Sequence, residues 1–192
     1  MIAMPLAMAT PLPPLPRALA ARGISLRAER VRDAAFLNTL YLSVRWEELA
    51  RTGWSDAQKQ AFLTSQLALQ SRHYAQTYPG AARGIVLRDN VAAGRLYLFA
   101  SADDLRIVDI SLLPVHRGQG IGAGLIRAVM AMAAKDGRGV SLQVGTFNPD
   151  AHRLYDRLGF VETGGGGVHR HMTWAPVIHH NNSVEIDPVQ SR

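Results

Sequence analysis

The sequence predicts an α/β fold of the α+β kind: a single mixed sheet flanked by helices in one domain. Three observations carry this. The chain has 192 residues, 47% hydrophobic and 19% charged, the proportions of a soluble globular protein long enough to bury a core. Its apolar periodicity switches between strand and helix rhythm in the order β-αα-βββ-α-β-α-ββ, with no internal repeat. Strands and helices also fail to alternate throughout, as a doubly wound sheet would require.

The first strand is expected over Ile24–Arg30, where ISLRAER alternates apolar with polar. Asp33 offers an N-cap to a helix that carries Phe36, Leu37, Leu40, Tyr41, Val44 and Leu49 on one face and stops at Gly53. Ser55 and Gln58 spell a capping box for a second helix running to about Thr77, broken by TYPG. Three strands follow, GIVLR (84–88), RLYLFA (95–100) and LRIVDISLL (105–113). The short turns between them predict an antiparallel meander. A glycine loop then opens a helix that ends at Gly137, and VSLQVGT (140–146) reads as a buried strand. A helix from about Pro149 to Leu158 precedes GFVET, a tetraglycine (164–167) and a last strand near HRHMTW.

Residues 1–22 are expected to form a flexible leader, because Pro5, Pro11, Pro13, Pro14 and Pro16 break any apolar helix and no early basic residue suggests a signal peptide. Residues 23–174 make the domain, and 175–192 read as a flexible tail without periodicity. The net charge is 21 − 15 = +6, almost all of it arginine, with Lys59 and Lys135 the only lysines. Such a surface suits a polyanionic ligand such as a nucleotide cofactor. The arginines are scattered from Arg17 to Arg192 with no run of five, which speaks against nucleic acid or an anionic membrane as partner. No apolar stretch reaches the roughly 18 residues of a membrane span. The chain has no cysteine, which excludes disulfides and thiolate chemistry, permits a reducing compartment and makes a cytoplasmic location the expectation.

PVHRGQGIGAG, Pro114 to Gly124, places glycine at 118, 120, 122 and 124, directly after the apolar run IVDISLL. Glycine inside a regular element costs roughly 0.5–1 kcal/mol relative to alanine, so this density implies positive φ or close approach of backbone to a ligand. Arg117 stands in front, and Ile121, Leu125, Val129 and Met132 continue at helical spacing. Free N–H groups at such a loop and first helical turn form an anion cradle. Gly118-x-Gly120-x-x-Ala123 matches a dinucleotide fingerprint, but no acidic residue ends the next strand near Thr146. A P-loop would need a lysine after the glycines, and there is none.

Arg117-x-x-Gly120-x-Gly122 resembles the R/Q-x-x-G-x-G/A signature of the GNAT superfamily of acetyl-CoA-dependent N-acyltransferases. FNPDAHRLYDRLGF, Phe147 to Phe160, is similar to that family's N-x-x-A-x-x-x-Y-x-x-x-G-F segment at Asn148, Ala151, Tyr155, Gly159 and Phe160. The likeness covers about Ile24 to Trp174 and extends to the order of elements.

The resemblance implies acetyl-CoA as co-substrate, its pyrophosphate on the backbone of Gly118, Gln119, Gly120, Ile121 and Gly122, with Arg117 contacting phosphate or merely solvating the loop. It implies a pantetheine arm beside Ile110–Leu113 and an oxyanion donor in the backbone N–H of Leu112 or Leu113. Tyr155 is then the expected general acid. Asn148 is a polar contact to cofactor or amine, or equally a helix N-cap before Pro149. For a general base, Asp109 ranks first, sharing a strand face with Ser111, Ile107 and Leu113, with Glu47 and Glu48 as rivals. His169 and His171 share a strand face and His179–His180 lie in the tail, but with no third ligand of known placement no metal is expected.

The function expected is transfer of acetyl from acetyl-CoA to a primary amine, small molecule or peptide, by direct attack. A non-catalytic acyl-CoA sensor or interaction module on the same scaffold is the alternative. The acceptor, the acyl length and the oligomeric state, including a homodimer, stay open.

Overall fold

The computed structural model describes residues 9–177. One seven-stranded sheet runs in the order β1-β2-β3-β4-β5-β7-β6. Its strands are β1 (Ile24–Ala28), β2 (Ala82–Arg88), β3 (Val91–Ala100), β4 (Asp104–Leu112), β5 (Gly139–Gly145), β6 (Val161–Gly166) and β7 (His169–Trp174). The helices are α1 (Arg17–Ala20), α2 (Ala34–Arg45), α3 (Asp56–Thr77), α4 (Ile121–Lys135) and α5 (Pro149–Arg157). Every strand pairing is antiparallel except β4 with β5, which are joined by the crossover helix α4. The expected mixed sheet and meander are present. β3 starts earlier than its apolar run because Asp89 and Asn90, with φ of 49° and 65°, make a two-residue turn that pairs Arg88 directly with Val91.

The main core lies between the sheet and α4 and α5, where Leu96, Leu98, Leu105 and Ile107 meet Leu125, Val129, Leu142 and Phe160. On the other face α2 and α3 cover the sheet, with Leu37, Leu40, Leu63 and Ile85 buried. Ser55 and Gln58 form the expected reciprocal cap, Gln58 N–H to Ser55 Oγ at 3.3 Å and Ser55 N–H to Gln58 Oε1 at 2.8 Å. Asp33 does not cap α2. Its carboxylate accepts from Arg27 at 2.7 Å and from the Arg30 N–H at 2.8 Å, and the Arg27 bond holds its pKa down at about 2. The helix ends at Arg45, short of Gly53, and a tighter turn follows over Trp46–Leu49.

Two strand-level details position the site. β4 and β5 pair only over Asp104–Ile107 against Gly139–Leu142; beyond that β4 stays with β3 and β5 with β7, so the sheet opens a wedge. Opposite Tyr97 and Leu98 the register skips Val108, so that Tyr97 faces Asp109 while Leu98 faces Ile107. That extra residue flips the alternation. Ile107, Ile110 and Leu112 therefore pack toward the main core, while Asp109 and Ser111 point to the α2–α3 side. The expected common face of Asp109 with Ile107 is thus corrected by a bulge.

The flexible leader expected over 1–22 is also corrected for its described part. Thr10 is buried, donates its N–H to Gly80 O at 3.0 Å and accepts from the Ala100 N–H at 3.0 Å through Oγ1. A methyl added at Gly84 would lie 2.7 Å from Leu12, and one at Gly124 would lie 2.8 Å from Leu19. These two glycines are notches for the N-terminal segment. Leu19, 4% exposed, belongs to the main core. Leu19→Ala is expected to lower stability by about 2–3 kcal/mol, as buried leucine truncations do, read as the shift of a urea unfolding midpoint. An unchanged midpoint would mean that the segment does not dock in solution.

Candidate functional site

The glycine loop sits where β4 ends, at the mouth of the wedge. Gly118 and Gly120 adopt φ of 70° and 75°, the left-handed region, and a Cβ on either would meet nothing within 4 Å. They are thus glycine for conformation and for an open approach rather than for packing. Gly120 caps α4, accepting from the Gly124 N–H at 3.0 Å. Among the described residues, the N–H groups of Gly118, Gln119, Gly120, Ile121, Gly122 and Ala123 have no protein acceptor. A row of free donors stands at the positive end of a fifteen-residue helix, the arrangement that favours negative charge.

The open edge of β4 supplies the second part. Leu113 donates its N–H to Ala93 O at 2.9 Å, so that group belongs to the sheet and the donor role expected of Leu113 is excluded. Successive N–H groups of a strand alternate between its two edges, so Leu112 presents its own toward the gap left by β5. The Leu112 carbonyl accepts from Arg117 Nε at 2.9 Å. Arg117 is thereby oriented as a brace between the strand end and the loop.

Tyr155 stands on α5 with its ring buried against Phe160, the ring centroids 5.8 Å apart. Its hydroxyl has no hydrogen-bond partner among the described residues. Burial, and secondarily the Asp109 charge, pushes its pKa up to about 12, so it stays protonated at any physiological pH. Asn148 is the N-cap of α5, its Oδ1 accepting from the Ala151 N–H at 3.1 Å.

Asp109 has a different setting from the one expected of a base. Its Oδ1 accepts from Arg95 Nε at 2.9 Å and Ser111 Oγ at 2.8 Å; its Oδ2 accepts from Arg95 Nη2 at 2.6 Å and Tyr74 Oη at 3.4 Å. Burial of the Arg95 guanidinium works against its charge, but the Asp109 carboxylate overrides this and leaves the Arg95 pKa raised. Tyr74 is raised too, by burial first and then by Asp109. Both oxygens of the Asp109 carboxylate are thus taken up by neighbouring donors of the sheet and α3. Of the rival acids, Glu48 is paired with Arg45 at 2.6 Å, while Glu47 is exposed on the turn after α2. His171 lies against Gln143, Nε2 to Nε2 at 3.0 Å, and His179–His180 fall outside the described residues.

Beside Asp109 and Ser111, a cleft of about 170 Å³ opens between α2 and the sheet, walled by Leu40, Tyr41, Val44 and Gln70. It lies on the α2–α3 face of the part of β4 that no longer pairs with β5. A row of free N–H groups at the start of α4, an unpaired edge of β4 and a side cleft against Asp109 and Ser111 thus lie along the stretch of β4 that β5 leaves. The family model described as the acetyltransferase (GNAT) family matches residues 44–160, which include the glycine loop and the Asn148–Phe160 segment.

The chain belongs to the GNAT acetyltransferase family.

A relative from Bacillus subtilis (strain 168), named as a ribosomal protein bS18-alanine N-acetyltransferase, is 33% identical over 82 residues, 42% of this chain and 54% of the relative. The chain therefore matches about half the length of that curated relative. The GNAT fold is shared with the PaiA N-acetyltransferase of Thermoplasma acidophilum, solved with coenzyme A. The TM-score there is 0.60 at 17% identity over 80% of this chain and 99% of the other. Naa50 of Arabidopsis thaliana, solved with the bisubstrate analogue CoA-Ac-MVNAL, aligns with TM-score 0.55 at 17% identity over 80% and 99%.

Sequence reasoning missed Arg95 and Tyr74. The signal for Arg95 was an arginine in the middle of an otherwise apolar strand, GRLYLFA. Tyr74 reaches Asp109 only through the fold.

Proposed function

We propose that the protein is an N-acetyltransferase that moves an acetyl group from acetyl-CoA to a primary amine by direct attack. The observation that carries this reading is the run of unpaired N–H groups from Gly118 to Ala123, over two left-handed glycines with open space in front. Acetyl-CoA, when bound, supplies the thioester carbonyl that the amine attacks: the C–N bond forms, the C–S bond breaks, and the proton given up by the amine balances the one taken by the departing thiolate, which leaves as a thiol.

The chain's residues divide the work as follows. Gly118, Gln119, Gly120, Ile121 and Gly122 hold pyrophosphate oxygens through backbone N–H groups, with the dipole of α4 behind them. Arg117 braces the loop through the Leu112 carbonyl. The Leu112 N–H, pointing into the wedge, is the donor for developing negative charge on the acyl oxygen. Tyr155 holds its proton and donates a hydrogen bond from Oη to the departing sulfur. Asn148 shapes the entrance by starting α5, and Asp109 serves as the charge partner that keeps Arg95, Tyr74 and Ser111 in place rather than as the base. The names of the B. subtilis relative and of Naa50's bound analogue favour peptide α-amines as the first acceptors to try.

A tyrosine with a pKa near 12 is a reluctant donor to a thiolate whose own pKa is about 8.5. Complete transfer would be uphill by about 5 kcal/mol, so Tyr155 stabilises the leaving group mainly by hydrogen bonding. Tyr155→Phe is accordingly expected to lower kcat by about 10- to 100-fold, at or below the low end of acid catalysis, without changing acetyl-CoA affinity. The assay is thiol release from acetyl-CoA against a panel of N-terminal peptides and small amines. Binding without thiol release for any acceptor would favour the non-catalytic sensor. Parent turnover in Tyr155→Phe would make the ring a packing residue only.

A further inference from the structure

The residue between the two left-handed glycines is held from outside its own loop. Gln119 lies between Gly118 and Gly120, neither of which would touch anything through a Cβ, so the loop has no packing of its own at these positions. Gln119 nevertheless makes three hydrogen bonds. Its carbonyl accepts from Arg22 Nη2 at 2.7 Å, its Oε1 accepts from Arg88 Nη1 at 2.5 Å, and its Nε2 donates to Val115 O at 2.7 Å. Arg22 comes from the N-terminal segment and Arg88 from the end of β2, just before the Asp89–Asn90 turn.

Arg22 is fixed in place by the fold. Three residues before it, Leu19 fills the notch at Gly124 on the second turn of α4, the helix whose N-terminus makes the cradle. One residue after it, Gly23 at φ 72° accepts the Asp89 N–H at 2.8 Å, and a Cβ there would strike the Asp89 carboxylate. The chain from Leu19 to Gly23 is thereby clamped to α4 on one side and to the β2–β3 turn on the other. Both arginines then reach the same glutamine.

We infer that residues 9–22 are a strap that pre-forms the glycine loop, with Arg22 and Arg88 acting as positioning residues for acetyl-CoA through Gln119. The inference rests on the acetyl-CoA reading above. Ordering a free residue costs roughly 1–2 kcal/mol of backbone entropy, and a loop of bare glycines has the most to lose. Fixing Gln119 beforehand removes part of that cost from binding, so the arginines act on affinity without touching ligand. Arg22 is exposed and lies outside the hydrophobic core, so removing it leaves the core intact.

The test is calorimetric titration of the full chain with coenzyme A and with 3′-dephospho-coenzyme A, for the parent, Arg22→Ala, Arg22→Lys and Arg88→Ala. Arg22→Ala and Arg88→Ala are each expected to weaken both ligands by about 5- to 10-fold, the scale of one charge-assisted hydrogen bond at an exposed site. The melting temperature stays within about 2 °C of the parent, as for a surface substitution. Arg22→Lys, which can still donate to the Gln119 carbonyl, recovers most of the loss. The weakening persists in 1 M salt, where the Debye length is about 3 Å and a distant charge no longer counts.

Unchanged affinity in both alanine variants overturns the inference. A loss confined to coenzyme A, with the dephospho form unaffected, also overturns it, because Arg22 would then be a direct phosphate contact. A loss that vanishes in high salt makes the arginines a diffuse field rather than a strap. A parent chain that binds neither ligand refutes the acetyl-CoA reading itself.

Discussion

Gly120→Val is expected to weaken acetyl-CoA binding by more than about 100-fold while the far-ultraviolet circular dichroism of the fold persists. The argument has two parts, which a second variant separates. At Gly120 the backbone sits at φ 75°, so valine is strained there by roughly 1–2 kcal/mol and would distort the loop even before ligand arrives. At Gly122 the φ is not in the left-handed region and the nearest side-chain atom to an added Cβ is Leu112 Cδ1 at 4.0 Å. A side chain at Gly122 is therefore neither strained nor crowded in the free protein. Replacing a helical glycine by a residue with a side chain removes part of the entropy cost of that position.

Gly122→Val should consequently hold or raise the melting temperature and still impair acetyl-CoA binding by at least tenfold, because its side chain occupies space that the cradle leaves for pyrophosphate. Stability and affinity moving in opposite directions is a signature that general damage cannot produce. Calorimetry beside thermal unfolding reads both quantities. If Gly122→Val binds acetyl-CoA like the parent, the free N–H groups from Gly118 to Ala123 are not where the ligand rests.

The loop was legible in the sequence because glycine at alternate positions behind an arginine has few structural uses, and the family pattern fixed its place between a strand and a helix. The helix start at Asn148 and the place of Tyr155 on α5 were legible for the same reason. The order of elements followed from periodicity, which senses each strand and helix locally. What periodicity cannot sense is an inserted residue. Val108 shifts Asp109 and Ser111 off the face that simple alternation assigns, and nothing in LRIVDISLL marks the bulge.

Long-range partners were equally hidden. Leu12, Leu15 and Leu19 stand among the prolines, only Leu19 of the three on a helix, and no periodicity marks them as packing residues. The notches that receive Leu12 and Leu19, Gly84 and Gly124, lie far along the chain, and neither glycine reveals alone what fills it. Arg95 and Asp109 are fourteen residues apart on neighbouring strands, so the pair exists only once β3 and β4 are in register.

That pair carries the other large effect. Asp109→Asn is expected to destabilise the fold by about 3 kcal/mol, because it leaves a guanidinium with 5% side-chain exposure facing a neutral amide in place of a carboxylate. For a chain of this size the loss corresponds to roughly 6–12 °C in melting temperature. The cost comes from the orphaned charge and not from any intrinsic worth of the ion pair. Arg95→Met combined with Asp109→Leu should therefore recover most of the lost stability, since a buried pair replaced by packed apolar groups is often close to neutral. The single variant also decides between two roles for the carboxylate. Removing a general base typically costs 10²–10⁴-fold in turnover, whereas a charge partner that only holds Arg95, Tyr74 and Ser111 leaves folded enzyme within about tenfold of the parent. Thiol release measured well below the melting transition, with the folded fraction checked by circular dichroism, separates these outcomes. A variant that melts like the parent but turns over 10³-fold more slowly would restore Asp109 as the base and remove it from the scaffold.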